Sequence, residues 1–185
     1  YYFLGDYDKA FEHMQAGLAV YDRALHEPLS VHYGVHDAGA CALYESALAL
    51  WNMGYPDRAH EHQVRAVALA KELTLPANIA DAYSYAGLFS QLLREPHQTQ
   101  RYAQLALQIS NEKGYPYTRI LSAVLLGWSL AMQGQMAEGI ALARQGLNAA
   151  NETSLRLHYS QLSVTLAEIL MAAGRHEEAI DVLDE

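Results

Sequence analysis

The sequence predicts an all-α protein, a right-handed α-α superhelix built from helix pairs that repeat about every 40 residues. A six-residue turn that opens a helix carries this prediction, because it recurs at Gly5, Gly54, Gly134 and Gly174. A degraded copy starts at Glu95, so the spacings between the five turns are 49, 41, 39 and 40. A nearly fixed period in this range is typical of repeat proteins. No stretch shows the sustained apolar-polar alternation of a strand.

The residue types in each turn have a physical reason. Glycine reaches a positive φ without steric penalty, so one helix can end and the chain can reverse. Five residues later stands a small residue, which allows two helices to approach closely; these are Ala10, Ala59, Gly139 and Ala179. The third copy has Glu95 in place of the glycine and Gln100 in place of the small residue. We therefore expect looser packing at that junction.

Apolar periodicity and helix-breaking residues predict the helices in order. The predicted spans are 9–25, 40–52, 57–73, 77–93, 97–112, 117–133, 136–151 and 154–173, with a last helix from residue 177. Pro28, Gly34 and Gly39 interrupt the pattern, so 27–39 is predicted to be an inserted loop. The domain prediction is one solenoid segment, 1–185, with a partial first repeat at 1–26 and regular repeats at 40–185. We expect it to be a piece of a longer multidomain protein.

Composition argues against several classes of function. The formal net charge is −9, and an acidic chain is a poor ligand for the phosphates of nucleic acid. The single cysteine, Cys41, excludes an internal disulfide framework and fits a reducing cytoplasm. The most apolar stretch, 123–132, is too short to cross a bilayer. The expected partners therefore exclude nucleic acid and membranes.

The turn Gly5-Asp6-Tyr7-Asp8-Lys9-Ala10 resembles the inter-helix turn of tetratricopeptide repeats (TPRs), although the usual TPR period is shorter, about 34 residues. The phrases 34–37, 48–57, 114–117 and 127–131 resemble a TPR-like region of large bacterial proteins that carry an ATPase module with a nucleotide cyclase or transcription-regulator domain. The resemblance implies a cytoplasmic, non-catalytic scaffold for protein–protein interaction and signal transduction. Partner binding would regulate the attached ATPase, cyclase or transcription-regulator domain. It leaves open a sensor domain that binds a small inducer molecule in the concave groove.

In such repeats the first helix of each pair lines the concave surface, so counting back from each turn gives the inward positions. The residues expected to contact a protein, a peptide or a ligand are Tyr44, Leu48, Trp51, Tyr85, Phe89, Leu92, Leu121, Trp128, Gln161 and Glu168. The alternative is that these side chains are only core between the helices. None of the inward positions is basic or Asn, which excludes the carboxylate clamp of repeats that bind chaperone tails.

Catalysis and metal binding have little support in the sequence. His32, His36 and Asp37 lie in one predicted loop and could hold a metal ion, but the alternative is that they hydrogen-bond helix ends. The chain has no Gly-rich phosphate loop and no His-Glu-x-x-His motif. We therefore predict no enzyme activity and no cofactor in this segment. Apolar residues near both ends, Tyr2, Phe3, Leu4, Ile180 and Leu183, predict a weak homodimer.

Overall fold

The computed structural model describes residues 1–33, 36–153 and 158–184. In these ranges the chain is all-α, with ten α-helices packed in consecutive pairs and no strand. The α-helices are α1 Tyr7–Val20, α2 Arg23–His26, α3 Ala38–Asn52, α4 Pro56–Glu72, α5 Pro76–Leu92, α6 Pro96–Lys113, α7 Pro116–Met132, α8 Met136–Glu152, α9 Tyr159–Ala172 and α10 His176–Asp184. Two short 3-10 helices lie at Tyr2–Leu4 and Glu27–Tyr33. The predicted fold class is confirmed.

Proline sets the start of four successive helices. Pro56, Pro76, Pro96 and Pro116 are the first residues of α4 to α7, and these starts are evenly spaced along the chain. Proline suits this position because its ring holds φ near the helical value and the first N–H groups of a helix need no intrahelical partner. The predicted bounds of these four helices are correct to within one residue.

The third turn has its left-handed residue at Arg94, and the prediction that Glu95 replaces the glycine is wrong. Arg94 has φ 61°, and Gly54 and Gly134 have φ 84° and 90°. The left-handed residues of the last four turns therefore fall at 54, 94, 134 and 174, an even spacing. Thr99 takes the place of the small residue and is fully buried. The junction is regular, but a non-glycine residue in this conformation costs about 1 kcal/mol.

The segment predicted to be a loop at 27–39 contains helical turns instead. The first helix ends at Val20 rather than near Leu25, because Tyr21 has an extended backbone (φ −69°, ψ 124°). The hydroxyl of Tyr21 donates to Asp37 Oδ2 at 3.1 Å, and its ring covers Gly39 so closely that a Cβ there would lie 2.6 Å from the ring. Gly39 is therefore a buried residue of α3 and not a helix breaker. The predicted breaker Gly34 and the predicted start of the helix 154–173 lie outside the described residues.

The chain divides into two compact units, Tyr1–Phe89 and Ser90–Glu185. In the first unit α3 packs against α1 and α4; in the second, α7 packs against α6, α8 and α9, and α9 also packs against α8 and α10. Large buried side chains fill both cores, among them Leu48, Leu50 and Leu88 in the first and Trp128, Leu125 and Ile169 in the second.

Glycines bring α7 and α8 into close contact. A Cβ at Gly127 would lie 2.6 Å from the carbonyl oxygen of Gly139 and 2.8 Å from the amide nitrogen of Ala143. Further along α8, a Cβ at Gly146 would lie 2.6 Å from Val124 Cγ2. Only hydrogen fits at these positions, so the small residue after the fourth turn sets the distance between the two helices.

Candidate functional site

The structure separates the predicted inward residues into a buried and a half-buried group. Six of them are at most 4% exposed: Tyr44, Leu48, Tyr85, Phe89, Leu121 and Trp128. Trp51, Leu92, Gln161 and Glu168 are half-buried. The aromatic middle of the predicted surface therefore lies within the core, and its polar end is accessible to solvent.

In the first unit the aromatic side chains contact one another between α3 and α5. The rings of Tyr44 and Tyr85 stack with centroids 3.9 Å apart, and Trp51 meets Phe89 edge to face at 5.8 Å. Cys41 Sγ lies 2.8 Å from the hydroxyl oxygen of Tyr44, and burial raises the pKa of the Cys41 thiol to about 12. Such a thiol stays protonated near neutral pH and is a poor nucleophile.

Two of the three predicted metal candidates, His36 and Asp37, pair with other groups of the protein. His36 Nδ1 lies 2.8 Å from Asp81 Oδ2, and this hydrogen bond raises the pKa of His36, with burial acting against it. The side chain of the fully buried Asp37 accepts a hydrogen bond from the backbone N–H of Ala40 at 2.9 Å and so caps α3. His32 is exposed. Among the described residues, no group of three or more His, Cys, Asp or Glu side chains could hold a metal ion.

Asp37 also ties its segment to α5. Its backbone N–H donates to Asn78 Oδ1 at 2.8 Å, and His36 reaches Asp81 on the same helix. The residues are brought together at the N-terminal ends of α3 and α5, where they anchor the segment that precedes α3. These contacts match the alternative to a metal site, in which His36 and Asp37 hydrogen-bond the ends of neighbouring helices.

Helix α9 differs from α3 and α7 in what it exposes. Val164 is 55% exposed and Met171 is 52% exposed. Together with Gln161 and Glu168 they follow steps of three and four residues, so they lie on one face of α9. The equivalent predicted positions in α7, Leu121 and Trp128 among them, are buried.

An open groove runs between this face and the C-terminal end of α5, within the second unit. Its cavity volume is about 360 Å³, and it is lined by Gln91, Leu92, Arg94, Ser160, Gln161, Val164, Thr165 and Glu168. Gln91 Nε2 donates to Thr165 Oγ1 at 3.2 Å, deep in the groove. At one end Arg94 Nη1 donates to Glu168 Oε1. The Arg94 side chain is 66% exposed and the Glu168 side chain is 30% exposed.

The groove contains three of the predicted residues, Leu92, Gln161 and Glu168. Sequence reasoning missed Arg94, because it placed the left-handed residue at Glu95. Arg94 lies halfway between Gly54 and Gly134 in the sequence, so even spacing of the turns identifies it. It also missed Gln91, Ser160 and Thr165, whose only signal is polarity on helices that are otherwise apolar.

The groove has the chemistry of a binding site. Its amide and hydroxyl groups both donate and accept hydrogen bonds, its ion pair offers one charge of each sign, and Val164 and Leu92 supply apolar surface. Outside it, large apolar side chains are exposed near the ends of the chain, namely Phe3, Leu4, Ile180 and Leu183. Within the described ranges, no helix is both long and apolar enough to cross a membrane.

Comparison with known proteins gives the fold. No family model matches the chain. An uncharacterised protein of Rhizobium meliloti (strain 1021) is 26% identical over 190 residues, an alignment that covers 98% of this chain and 18% of that protein. The chain thus spans less than a fifth of this curated relative.

Two crystal structures of Podosopora anserina kinesin light chain, with nearly identical TPR-like repeats, are similar in structure. One superposes with a TM-score of 0.59 at 18% identity and covers 97% of this chain and 85% of that chain. The other, a variant with one substitution, has a TM-score of 0.61 at 18% identity, and the superposition covers 97% of this chain and 84% of that chain. With its helices in consecutive pairs, the chain has the fold of TPR-like repeat proteins.

Proposed function

We propose that the chain is a non-catalytic scaffold that binds a protein or peptide partner on the open face of α9. The observation that carries the proposal is the exposure of Val164, which lines the groove, and of Met171 on the same face of α9, where the matching positions of α7 are buried. Exposed apolar side chains rimmed by polar groups are typical of partner sites. TPR-like repeats commonly bind proteins or peptides.

The finer proposal is that binding regulates an attached ATPase, cyclase or transcription-regulator domain of a cytoplasmic signalling protein. Its support is the sequence resemblance to such bacterial regions and the greater length of the relative, of which the chain covers 18%. A partner that prefers one arrangement of the helix pairs would shift the population toward it and so bias the attached domain. The energy available for this shift equals the difference in affinity for the two arrangements.

A second candidate function is a sensor for a small inducer molecule. The groove favours it in one respect, because about 360 Å³ lies within the usual range of ligand pockets, roughly 300–1,000 Å³. Its polar groups, Gln91, Gln161 and Ser160, converge on the same space. The groove is open rather than enclosed, which fits a peptide better than a small molecule.

Site-specific cross-linking tests the scaffold proposal. A photoreactive amino acid is placed at Val164 of the intact protein in its native cells, and in a control at Val64, a valine that is 54% exposed on α4. A partner captured from position 164 and not from 64 is purified, and its affinity is measured for the wild type and for Val164→Ser, which removes apolar surface without adding charge. We expect a clear loss of affinity in the variant. Equal affinities would remove this face as the binding surface.

We also propose a weak homodimer through the exposed apolar side chains near the two ends. Leu4 is 84% exposed, and Ile180 and Leu183 are 59% and 54% exposed. Sedimentation of the chain over a wide concentration range tests this, because a strict monomer at the highest concentration would contradict it.

A further inference from the structure

We propose that the groove between α5 and α9 binds a short basic segment of a partner protein, with a Lys or Arg side chain on Glu168. In the free protein Arg94 occupies that place. This inference rests on the proposed function, since it names the chemistry of the partner that the face of α9 recognises.

The third turn contains an unusual residue. Four of the five equivalent turns have glycine with a positive φ, and only the third has a side chain, Arg94, at φ 61°. A non-glycine residue held in this conformation is strained, and such strain is typical of functional positions. The strained residue directs its guanidinium to Glu168, far away in the sequence on α9.

The two charges of the ion pair differ in their exposure to solvent. Arg94 lies in a turn and its long side chain is 66% exposed, whereas Glu168 lies in the middle of α9 and is 30% exposed. Arg94 can therefore rotate into solvent more readily than Glu168, whose backbone is held in α9. A ligand that displaces Arg94 meets a partly buried carboxylate, and the group that complements it is a cation.

An anionic ligand fits the site poorly. A carboxylate or phosphate placed on Arg94 would lie next to the Glu168 carboxylate, and like charges at this separation repel. The net charge of −9 over the chain acts in the same direction, because it attracts cationic partners and repels anionic ones at long range.

The rest of the groove accommodates the neighbours of that cation. Val164 lies one turn before Glu168 and offers apolar surface, and Gln161 and Ser160 lie a further turn away. The rise from residue 161 to 168 along α9 is about 10 Å, which matches roughly three extended residues. Amide and hydroxyl side chains at this spacing can hydrogen-bond a peptide backbone.

The test uses two capped peptides, Ser-Val-Arg-Val-Ser and Ser-Val-Glu-Val-Ser, titrated onto the chain and followed by NMR chemical shifts. We expect the arginine peptide to bind and the glutamate peptide to bind more weakly. Arg94→Gly introduces the residue found in the other four turns. It should raise the affinity for the arginine peptide by about fivefold, because the competing guanidinium is removed. Glu168→Gln should lower the affinity for the arginine peptide by about the same factor, both in the wild type and in the Arg94→Gly variant.

A matched control removes a positive charge elsewhere on the same unit. Arg175 is exposed and pairs with Glu178, so Arg175→Gln should change the affinity for the arginine peptide far less than Arg94→Gly does. Circular dichroism checks that every variant is folded. If Arg94→Gly lowers the affinity for the arginine peptide or raises the affinity for the glutamate peptide, the proposal is wrong.

Two further outcomes also decide the matter. Arginine amide alone binding as tightly as the peptide would overturn the assignment to a protein segment. If neither peptide binds but a cross-linked partner still loses affinity through Val164→Ser, the scaffold stands and the basic segment is refuted. If that partner is also unaffected, the proposed function fails as well.

Discussion

Replacing Gly127 by alanine adds a single methyl group where α7 meets α8, and we expect it to destabilise the second unit. The new Cβ would lie 2.6 Å from the Gly139 carbonyl oxygen and 2.8 Å from the Ala143 amide nitrogen. Both atoms belong to the backbone, so no side chain can rotate away to make room. The two helices have to separate instead.

The magnitude follows from two opposing effects. Alanine is intrinsically better than glycine inside a helix by about 1 kcal/mol. Overpacking a tight interface costs about 1–3 kcal/mol, and the upper end applies when backbone must move. Carbon contacts are optimal near about 3.5–4 Å, so the helices must part by roughly 1 Å. The expected net loss is about 2 kcal/mol, or a fall in Tm of about 4–8 °C for a chain of this size.

Gly17 supplies the matched control. It lies inside α1, it is exposed, and a Cβ there would have no heavy atom within 4 Å. Gly17→Ala should therefore stabilise the protein by up to about 1 kcal/mol through helix propensity alone. Thermal and urea unfolding are followed by circular dichroism, and Trp128 fluorescence in a Trp51→Phe background reports on the second unit. If Gly127→Ala proves as stable as Gly17→Ala, the contact does not set the helix spacing.

Three further predictions concern the segment before α3 and its first turn. Asp37→Ala should lower the free energy of unfolding by about 2–4 kcal/mol, because it removes a buried cap and leaves the Tyr21 hydroxyl unpaired. Asp6→Ala, which removes an exposed cap and an exposed ion pair with Lys9, should cost far less in the same urea titration. The raised pKa of His36 means that its pairing with Asp81 stabilises the fold at low pH and is lost as the pH rises through that pKa. The stability difference between wild type and His36→Gln should be below about 1 kcal/mol for a half-exposed pair. It should shrink as the pH rises above about 6.5, the ordinary pKa of histidine, and a difference that grows with pH would contradict the pairing. Cys41 should react with iodoacetamide far more slowly in the folded chain than in urea, because burial raises its pKa to about 12; equal rates would refute this.

The helix pattern could be predicted from the sequence because its ends are set by local chemistry. Proline at the first turn of α4 to α7 restricts φ directly, and glycine at most turns supplies the left-handed conformation. The prediction failed where a distant contact decides the backbone. Tyr21 ends α1 because its ring and hydroxyl dock onto α3, and Arg94 takes the place of a glycine despite its Cβ. Neither effect can be read from local propensity.

The candidate site was harder to predict, because period and spacing identify a face of a helix but not what covers it. The same counting rule selected Trp128, which is 1% exposed, and Glu168, which lies in an open groove. Residue type carried part of the missing information, since the inward positions of α9 change from aromatic to Gln and Glu. The partner of Glu168 comes from a distant turn, and only the three-dimensional structure brings the two together.

The regular spacing of the turns has a consequence for how such chains change in length. Removing residues 95–134 would join Arg94 to Gln135, so one left-handed residue would replace another and every later side chain would keep its place in a helix pair. A deletion one residue shorter than 95–134 would rotate the following helix by about 100° relative to its neighbours. Part of its polar face would then turn inward. Insertions and deletions should therefore be tolerated in whole repeats, and each added repeat would extend the interaction surface without altering the existing ones.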